Sequence, residues 1–312
     1  MIPFAMTSGD LLADRRADYA ESYLPDDPQA AAELYEQALE RAPGWVAGWF
    51  RLGEIRADAG LPQAQQAFEQ VLELDPADTL GASLKLDLLM PRSLSNAMPV
   101  AFVEALFDQY AAGFEESLVE KLEYRAPELI AAGLAGTYSR GLDLGCGTGL
   151  MGLALADRVQ WLEGWDISSE MLREAEAKGC YQVLEKRDLG TLAPVRDAWD
   201  LVTAADVFAY LGALEQIIGW CSGAIREDGR LAFTVECHDG AEAYLLRPSR
   251  RYAHSEAHLA ELLELAGFDA VIEKDWLRLD RGMPIEGLVV QARRRAKAAE
   301  RYVTEEDRPA LA

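Results

Sequence analysis

A chain of 312 residues, half of them apolar, is long enough to build two hydrophobic cores, so two domains are expected. Its 30 basic and 53 acidic residues leave a formal charge of −23, which repels a phosphate backbone and excludes nucleic acid or an anionic membrane as the main partner. The four cysteines show neither a C-x-x-C spacing nor a secreted disulfide framework. Met1–Asp10 lacks a basic start and an apolar core, and no later stretch reaches the ~20 apolar residues of a membrane span, so a soluble, cytoplasmic protein is expected.

In chain order, the first feature is a repeat: Ala31, Tyr35, Ala38 and Pro43 recur 33 positions later as Ala64, Phe68, Val71 and Pro76. Small alanines let paired helices approach, the aromatic residue fills the gap between them, and each proline ends the second helix of its pair. With Trp49, Leu52 and Gly53 in the second unit, residues 10–90 resemble a degenerate tetratricopeptide array of about two units, with Thr79–Met90 as a capping helix. The departures are Arg56 at a position usually held by tyrosine, a shortened turn at Gly60–Pro62, and a first unit without the W-x-x-L-G start. Such an array implies either a protein partner or self-association.

Pro91–Pro99 reads as a hinge. Phe102, Val103, Leu106, Phe107, Tyr110 and Phe114 then follow at helical spacing and lead into the second domain. From Gly141 onward short apolar runs alternate with amphipathic helices, the pattern of a parallel sheet covered on both faces. Strands are predicted at 139–144, 160–165, 182–186, 199–205 and 229–236. Two further runs, Asp269–Leu279 and Ile285–Ala292, have no helix between them and must form an antiparallel hairpin.

The first strand runs straight into Leu142-Asp-Leu-Gly-Cys-Gly-Thr-Gly149, where Gly145, Gly147 and Gly149 permit a tight turn and close approach of a ligand, and Asp143 supplies a carboxylate. This string and the terminal hairpin resemble the class I S-adenosylmethionine-dependent methyltransferases over about two-thirds of the chain. The resemblance implies an α/β fold: a doubly wound, mostly parallel seven-stranded sheet behind an all-α helical-repeat domain. It divides the chain into a repeat domain at 1–95, a catalytic domain at 96–296 and a charged tail at 297–312.

It further implies that the glycine turn and Asp143 hold the methionine portion of the cofactor. Asp166 would bind the ribose hydroxyls, Ile167 and Met171 would face the adenine, and Asp188 with Leu189 would read its edge. Asp206 would lie beside the methionine end or else close a turn. Phe107-Asp-Gln-Tyr110-Ala-Ala-Gly-Phe114 resembles the segment that closes over the cofactor, which adds Tyr110 and Phe114, with Arg125 as a cap on the cofactor carboxylate. Ser168 is placed to cap a helix that stops at Gly179.

Two competing readings remain. Gly147-Thr-Gly-Leu-Met-Gly152 with Asp166 also spells a dinucleotide fingerprint and would fit an NAD(P)-dependent oxidoreductase; alternatively, the chain is a non-catalytic adaptor. Methyl transfer is an in-line displacement governed by alignment and desolvation, so a base is optional. His238, His254, Tyr210 and Tyr252 are the candidates for acceptor-side chemistry. His254 and His258 stand four apart, but Glu256 is out of place for a zinc motif and no metal is expected. Arg247, Arg250 and Arg251 read as a solvated loop or as an anion site. The absence of an Asn-Pro-Pro-Tyr or Asp-Pro-Pro-Tyr string leaves a small molecule or a protein as acceptor.

Overall fold

A computed structural model describes residues 7–90, 96–111, 113, 115 and 122–296; Phe114, the first part of the expected hinge and the expected tail lie outside them. The chain opens with five helices, α1 (Leu11–Tyr23), α2 (Pro28–Arg41), α3 (Val46–Asp58), α4 (Ala64–Leu74) and α5 (Ala82–Leu89), each packed on the next. Local chemistry starts the first two. The Asp10 carboxylate accepts from the Leu12 and Ala13 amides, and Asp27 accepts from Ala30 with Pro28 at the first turn, where its missing amide costs nothing.

The positions that repeat in sequence are the ones that pack. Ala31, Tyr35 and Ala38 are buried on α2, as are Ala64, Phe68 and Val71 on α4. Arg56, the departure from the repeat pattern, is buried and paired with Glu36 across the two units. Gly53 gives α3 its close approach to α4: a Cβ there would stand 2.7 Å from the ring of the fully buried Phe68. Gly53→Val should therefore cost about 1–3 kcal/mol by overpacking, read as a lower urea midpoint; an unchanged midpoint would refute this packing account.

Helix α5 does not cap the array against solvent. Leu84 packs with Met98, Phe102, Leu246 and Tyr252, and so joins the front helices to the second domain. The end of the expected hinge is also tied down: Asn96 accepts from the Gly212 and Ala213 amides, and Met98 donates to Tyr210. Helix α6 (Val100–Tyr110) follows, then α7 (Ala126–Gly133).

The second domain is a single mixed sheet. Strands β1 (Tyr138–Leu144), β2 (Val159–Asp166), β3 (Val183–Lys186), β4 (Trp199–Ala204) and β5 (Ile225–His238) run parallel in the order β3-β2-β1-β4-β5. The expected hairpin is present as β8 (Phe268–Asp280) and β9 (Met283–Arg294), with β9 antiparallel to β5 over Arg230–Glu236. Among the described residues the sheet has nine strands rather than seven, because β6 (Tyr244–Leu246) and β7 (Tyr252–Ser255) form a short hairpin on the last residues of β5. Helices α10 (Glu215–Ala224) and α11 (Glu256–Leu265) bury Ile217, Ile218, Leu259 and Leu263 on one face. On the other, α7 and α8 (Leu150–Leu155) bury Ile130, Met151 and Leu155. Helix α9 (Ser169–Lys178) has the cap read from sequence: Ser168 Oγ accepts from the Met171 amide, and Gly179 ends it with φ +65°.

Candidate active site

The carboxyl ends of β1, β2 and β4 open onto a cavity of about 590 Å³ covered by α6, well within the size range of small-molecule and cofactor sites. Its floor is the backbone turn between β1 and α8. Gly145, Gly147 and Gly149 take φ of +60°, +52° and +96°, angles that a side chain resists. A Cβ at Gly145 would collide with Val207 at 2.3 Å, whereas one at Gly147 would meet nothing within 4 Å, so Gly147 faces open space.

Asp166, at the end of β2, holds this turn. One oxygen accepts from the Gly147 amide at 2.8 Å, the other from the Ser168 amide at 2.8 Å. Burial raises its pKa despite these bonds and that of Ile167. A carboxylate has about four acceptor positions, so Asp166 retains capacity toward the cavity it lines. Ile167, Asp188 and Leu189 line the same end. Asp188 also caps a short turn, accepting from the Gly190 amide at 2.8 Å. Helix α6 is pinned over this end by Asp108, which accepts from the Ser168 hydroxyl at 2.6 Å, and by the Glu104–Lys186 pair at 2.5 Å. Tyr110 lines the cavity from α6.

Other residues expected at the cofactor lie elsewhere. Asp143 is fully buried beneath the turn, held by Tyr181 Oη at 2.8 Å and Thr203 Oγ1 at 2.9 Å. Burial pushes its pKa up to about 7. Tyr181, which sequence reasoning missed, also accepts from the Gly152 amide at 3.1 Å, and Cβ atoms at Gly149, Gly152 and Gly164 would each press on its ring. Gly152, the last glycine of the dinucleotide-like string, thus makes room for a tyrosine. Met171 is a core residue, fully buried under α9. Arg125 stacks on Trp276 at 4.2 Å and binds Asp275 Oδ1 at 3.0 Å, away from the cavity wall.

Of the acceptor-side candidates, only Tyr210 lines the cavity. His238 Nδ1 accepts from the Gly240 amide at the end of β5. His254 lies on β7, not at the start of a helix. Its Nε2 points at the Leu211 and Gly212 carbonyls at 2.9 and 3.1 Å, and burial pulls its pKa down to about 4. Tyr252 is buried against the front helices. His258, on α11, faces Glu215 at 3.4 Å, so the two histidines do not share a helix face.

The far wall joins Asp206 and Arg251, both singled out from sequence, to Glu236 and Arg278, which sequence reasoning missed. Glu236, 1% exposed at its side chain, accepts at Oε1 from Arg251 Nε and Arg278 Nη2, both at 2.6 Å. Asp206, on a left-handed φ of +61°, pairs with Arg251 and with Arg278 Nη1 at 3.3 Å. Arg251 Nη1 also donates to Tyr210 Oη at 2.6 Å. Asp206, Tyr210, Arg251 and Arg278 all line the cavity. The basic group around Pro248 is therefore not a solvated loop as a whole: the β6–β7 hairpin carries Arg251 inward. For Glu236, burial raises the pKa but Arg251 and Arg278 outweigh it, and the group ends below its ordinary value.

Residues 142–229 match a family model described as a methyltransferase domain. The chain carries a methyltransferase domain. The turn, the acid at the end of β2 and the apolar wall beside it fit S-adenosylmethionine as the methyl donor of such a domain. Among solved structures, the fold is similar to a complex between the Haloferax volcanii Trm112 methyltransferase activator and a methyltransferase (18% identity, 63% of this chain and 99% of that chain, TM-score 0.52). It is also similar to the DhpI–SAH complex (21%, 64% and 98%, 0.49) and to an S-adenosylmethionine dependent methyltransferase from Mesorhizobium loti (22%, 55% and 97%, 0.45). No curated protein matches the chain.

Proposed function

We propose that this chain transfers a methyl group from S-adenosylmethionine to a small-molecule acceptor in the reducing cytoplasm, with residues 96–296 as its catalytic domain. The observation that carries the reading is that one cavity runs from the glycine turn and Asp166 to the Asp206–Arg251–Arg278 wall. A covered cavity suits a small acceptor better than a protein surface. All four cysteines are free thiols, in keeping with a reducing compartment, and no described helix is long and apolar enough to cross a membrane.

When bound, the cofactor supplies a methyl carbon already activated by sulfonium, so the protein's task is alignment and exclusion of water. Asp166 fixes the turn and faces the ribose; Ile167 and Leu189 give an apolar surface to the base, and Asp188 reads its edge. Tyr110 and Phe107 on α6 shut out water. No histidine lines the cavity among the described residues, which suits a transfer without a histidine base. Helices α1–α5 read as a degenerate tetratricopeptide-like array. Their role is to brace the β6–β7 hairpin through Leu84 and Tyr252 and to offer a surface to a protein partner or a second copy.

Calorimetry with S-adenosylmethionine, S-adenosylhomocysteine and NAD tests the cofactor site. Both adenosyl compounds should bind and NAD should not, and Asp166→Ala should weaken them by about thirty-fold, the loss of a charged hydrogen-bonding group. Binding of NAD alone would overturn the reading in favour of an oxidoreductase, and binding of none of the three would favour an adaptor.

A further inference from the structure

We propose that the acceptor carries a single carboxylate, received by Arg251 and Arg278 together with the phenols of Tyr124 and Tyr210; the proposal rests on the methyltransferase reading above. In a chain of net charge −23, this corner is locally basic. Arg247, Arg251 and Arg278 converge on Glu236 at 3.8, 2.6 and 2.6 Å, and Asp206 is the one other acid paired within the cluster. Three guanidinium groups against two carboxylates leave about one unit of positive charge behind the wall.

Geometry directs that charge into the cavity. Glu236 lies behind the wall and is almost wholly buried, while Arg251 and Arg278, 13% and 9% exposed at their side chains, are part of the lining. Arg278 donates from Nη1 and Nη2 to its two acids, so its five-donor fork has capacity left for a planar anion. Tyr210 Oη accepts from Arg251 at 2.6 Å, which leaves its own hydrogen to donate. Tyr124 lines the same cavity as Asp206, Arg251 and Arg278 and precedes Arg125, whose amide donates to Leu277 on β8; its hydroxyl is a second donor.

The same lining limits the anion's charge. Asp166, Asp188 and Asp280, which that surplus leaves uncounted, also line the cavity, opposed there by Arg187, so a phosphate dianion meets repulsion that a surplus of about one charge does not offset, whereas a carboxylate matches it. Phe107 and Leu122 beside these groups favour an apolar or aromatic body on the acid.

The test uses the full chain saturated with S-adenosylhomocysteine and follows benzoate, benzamide and phenyl phosphate by saturation-transfer NMR and competition. Benzoate should bind about ten-fold more tightly than either other probe, and Tyr124→Phe should weaken it about ten-fold, the value of one hydrogen bond to a charged group. Arg278→Lys should weaken it as well, while both variants hold S-adenosylhomocysteine as the wild type does. Equal binding of benzoate and benzamide, or preference for phenyl phosphate, overturns the proposal. So does a pattern in which Arg278→Lys weakens S-adenosylhomocysteine but not methylthioadenosine, which lacks the amino-acid carboxylate: the arginines would then serve the cofactor. Failure of S-adenosylhomocysteine itself to bind wild-type protein would refute the methyltransferase reading and this proposal with it. Retained cofactor binding without benzoate binding overturns only the carboxylate.

Discussion

Glu236→Ala is expected to destabilise the protein by about 3–5 kcal/mol, the largest loss of any single polar substitution here. The side chain is 1% exposed and one of its oxygens accepts from both Arg251 and Arg278. Removing it leaves two buried guanidinium groups sharing Asp206, and breaking a buried pair from one side costs that much because the remaining charge has lost its compensation. The pH dependence has a definite sign. The two arginines hold the folded pKa of Glu236 below its ordinary 4.5, so its stabilisation is fully present above about 4.5 and is lost as pH falls through the lower folded value. Urea unfolding at pH 7.5 should show the full gap between wild type and variant, and the gap should narrow in acid. A gap below about 1 kcal/mol at neutral pH would mean that the cluster is loose and solvated.

The parts of this site that the sequence discloses are those whose chemistry is local. The glycine turn, the Ser168 cap, the Gly179 stop and Asp166 lie close along the chain, and each owes its residue type to backbone geometry within a few positions. The charge cluster differs. Glu236 meets Arg278 across 42 positions and Asp206 meets it across 72, contacts made only once β8 and β5 are bridged by β9. Sequence leaves Arg251 between a solvated loop and an anion site because β6 and β7 have only three and four residues, too few to show a strand period. The seven-strand expectation failed for the same reason.

Roles carried over from the family resemblance also misplaced some apolar and charged side chains. Met171 and Ile167 are near neighbours in sequence, yet one is core and the other is at the cavity, because α9 begins between them and turns Met171 toward the sheet. Arg125 has a flat aromatic partner in Trp276 and an acid in Asp275, both on β8. The front helices were legible as a repeat, but not as a support for the second domain: Leu84 meets Tyr252 only because the β6–β7 hairpin reaches back over α5.

Asp143 shows a site residue working against stability, and its replacement should reveal this. Burial pushes its pKa from 3.8 to about 7 even though Tyr181 and Thr203 donate to it. With the folded pKa raised, the native state holds a proton that the unfolded chain has already lost. Stability from this group is therefore complete below about 3.8 and falls as pH rises toward 7. A shift of roughly three units corresponds to about 4 kcal/mol. Asp143→Asn keeps the shape: its carbonyl can accept from Tyr181 and its amide can donate to Thr203 Oγ1, with no charge to bury. The variant should match wild type in urea unfolding at about pH 3.5 and exceed it by about 1–4 kcal/mol at pH 8. Its affinity for S-adenosylhomocysteine should fall at pH 8, because the variant lacks the negative charge beneath the turn that attracts the ammonium group of the ligand's amino-acid portion. A variant less stable than wild type at pH 8 would mean that Asp143 is a net support of the fold. Gain of stability together with loss of affinity would identify it as an acid retained for the site at the expense of the fold.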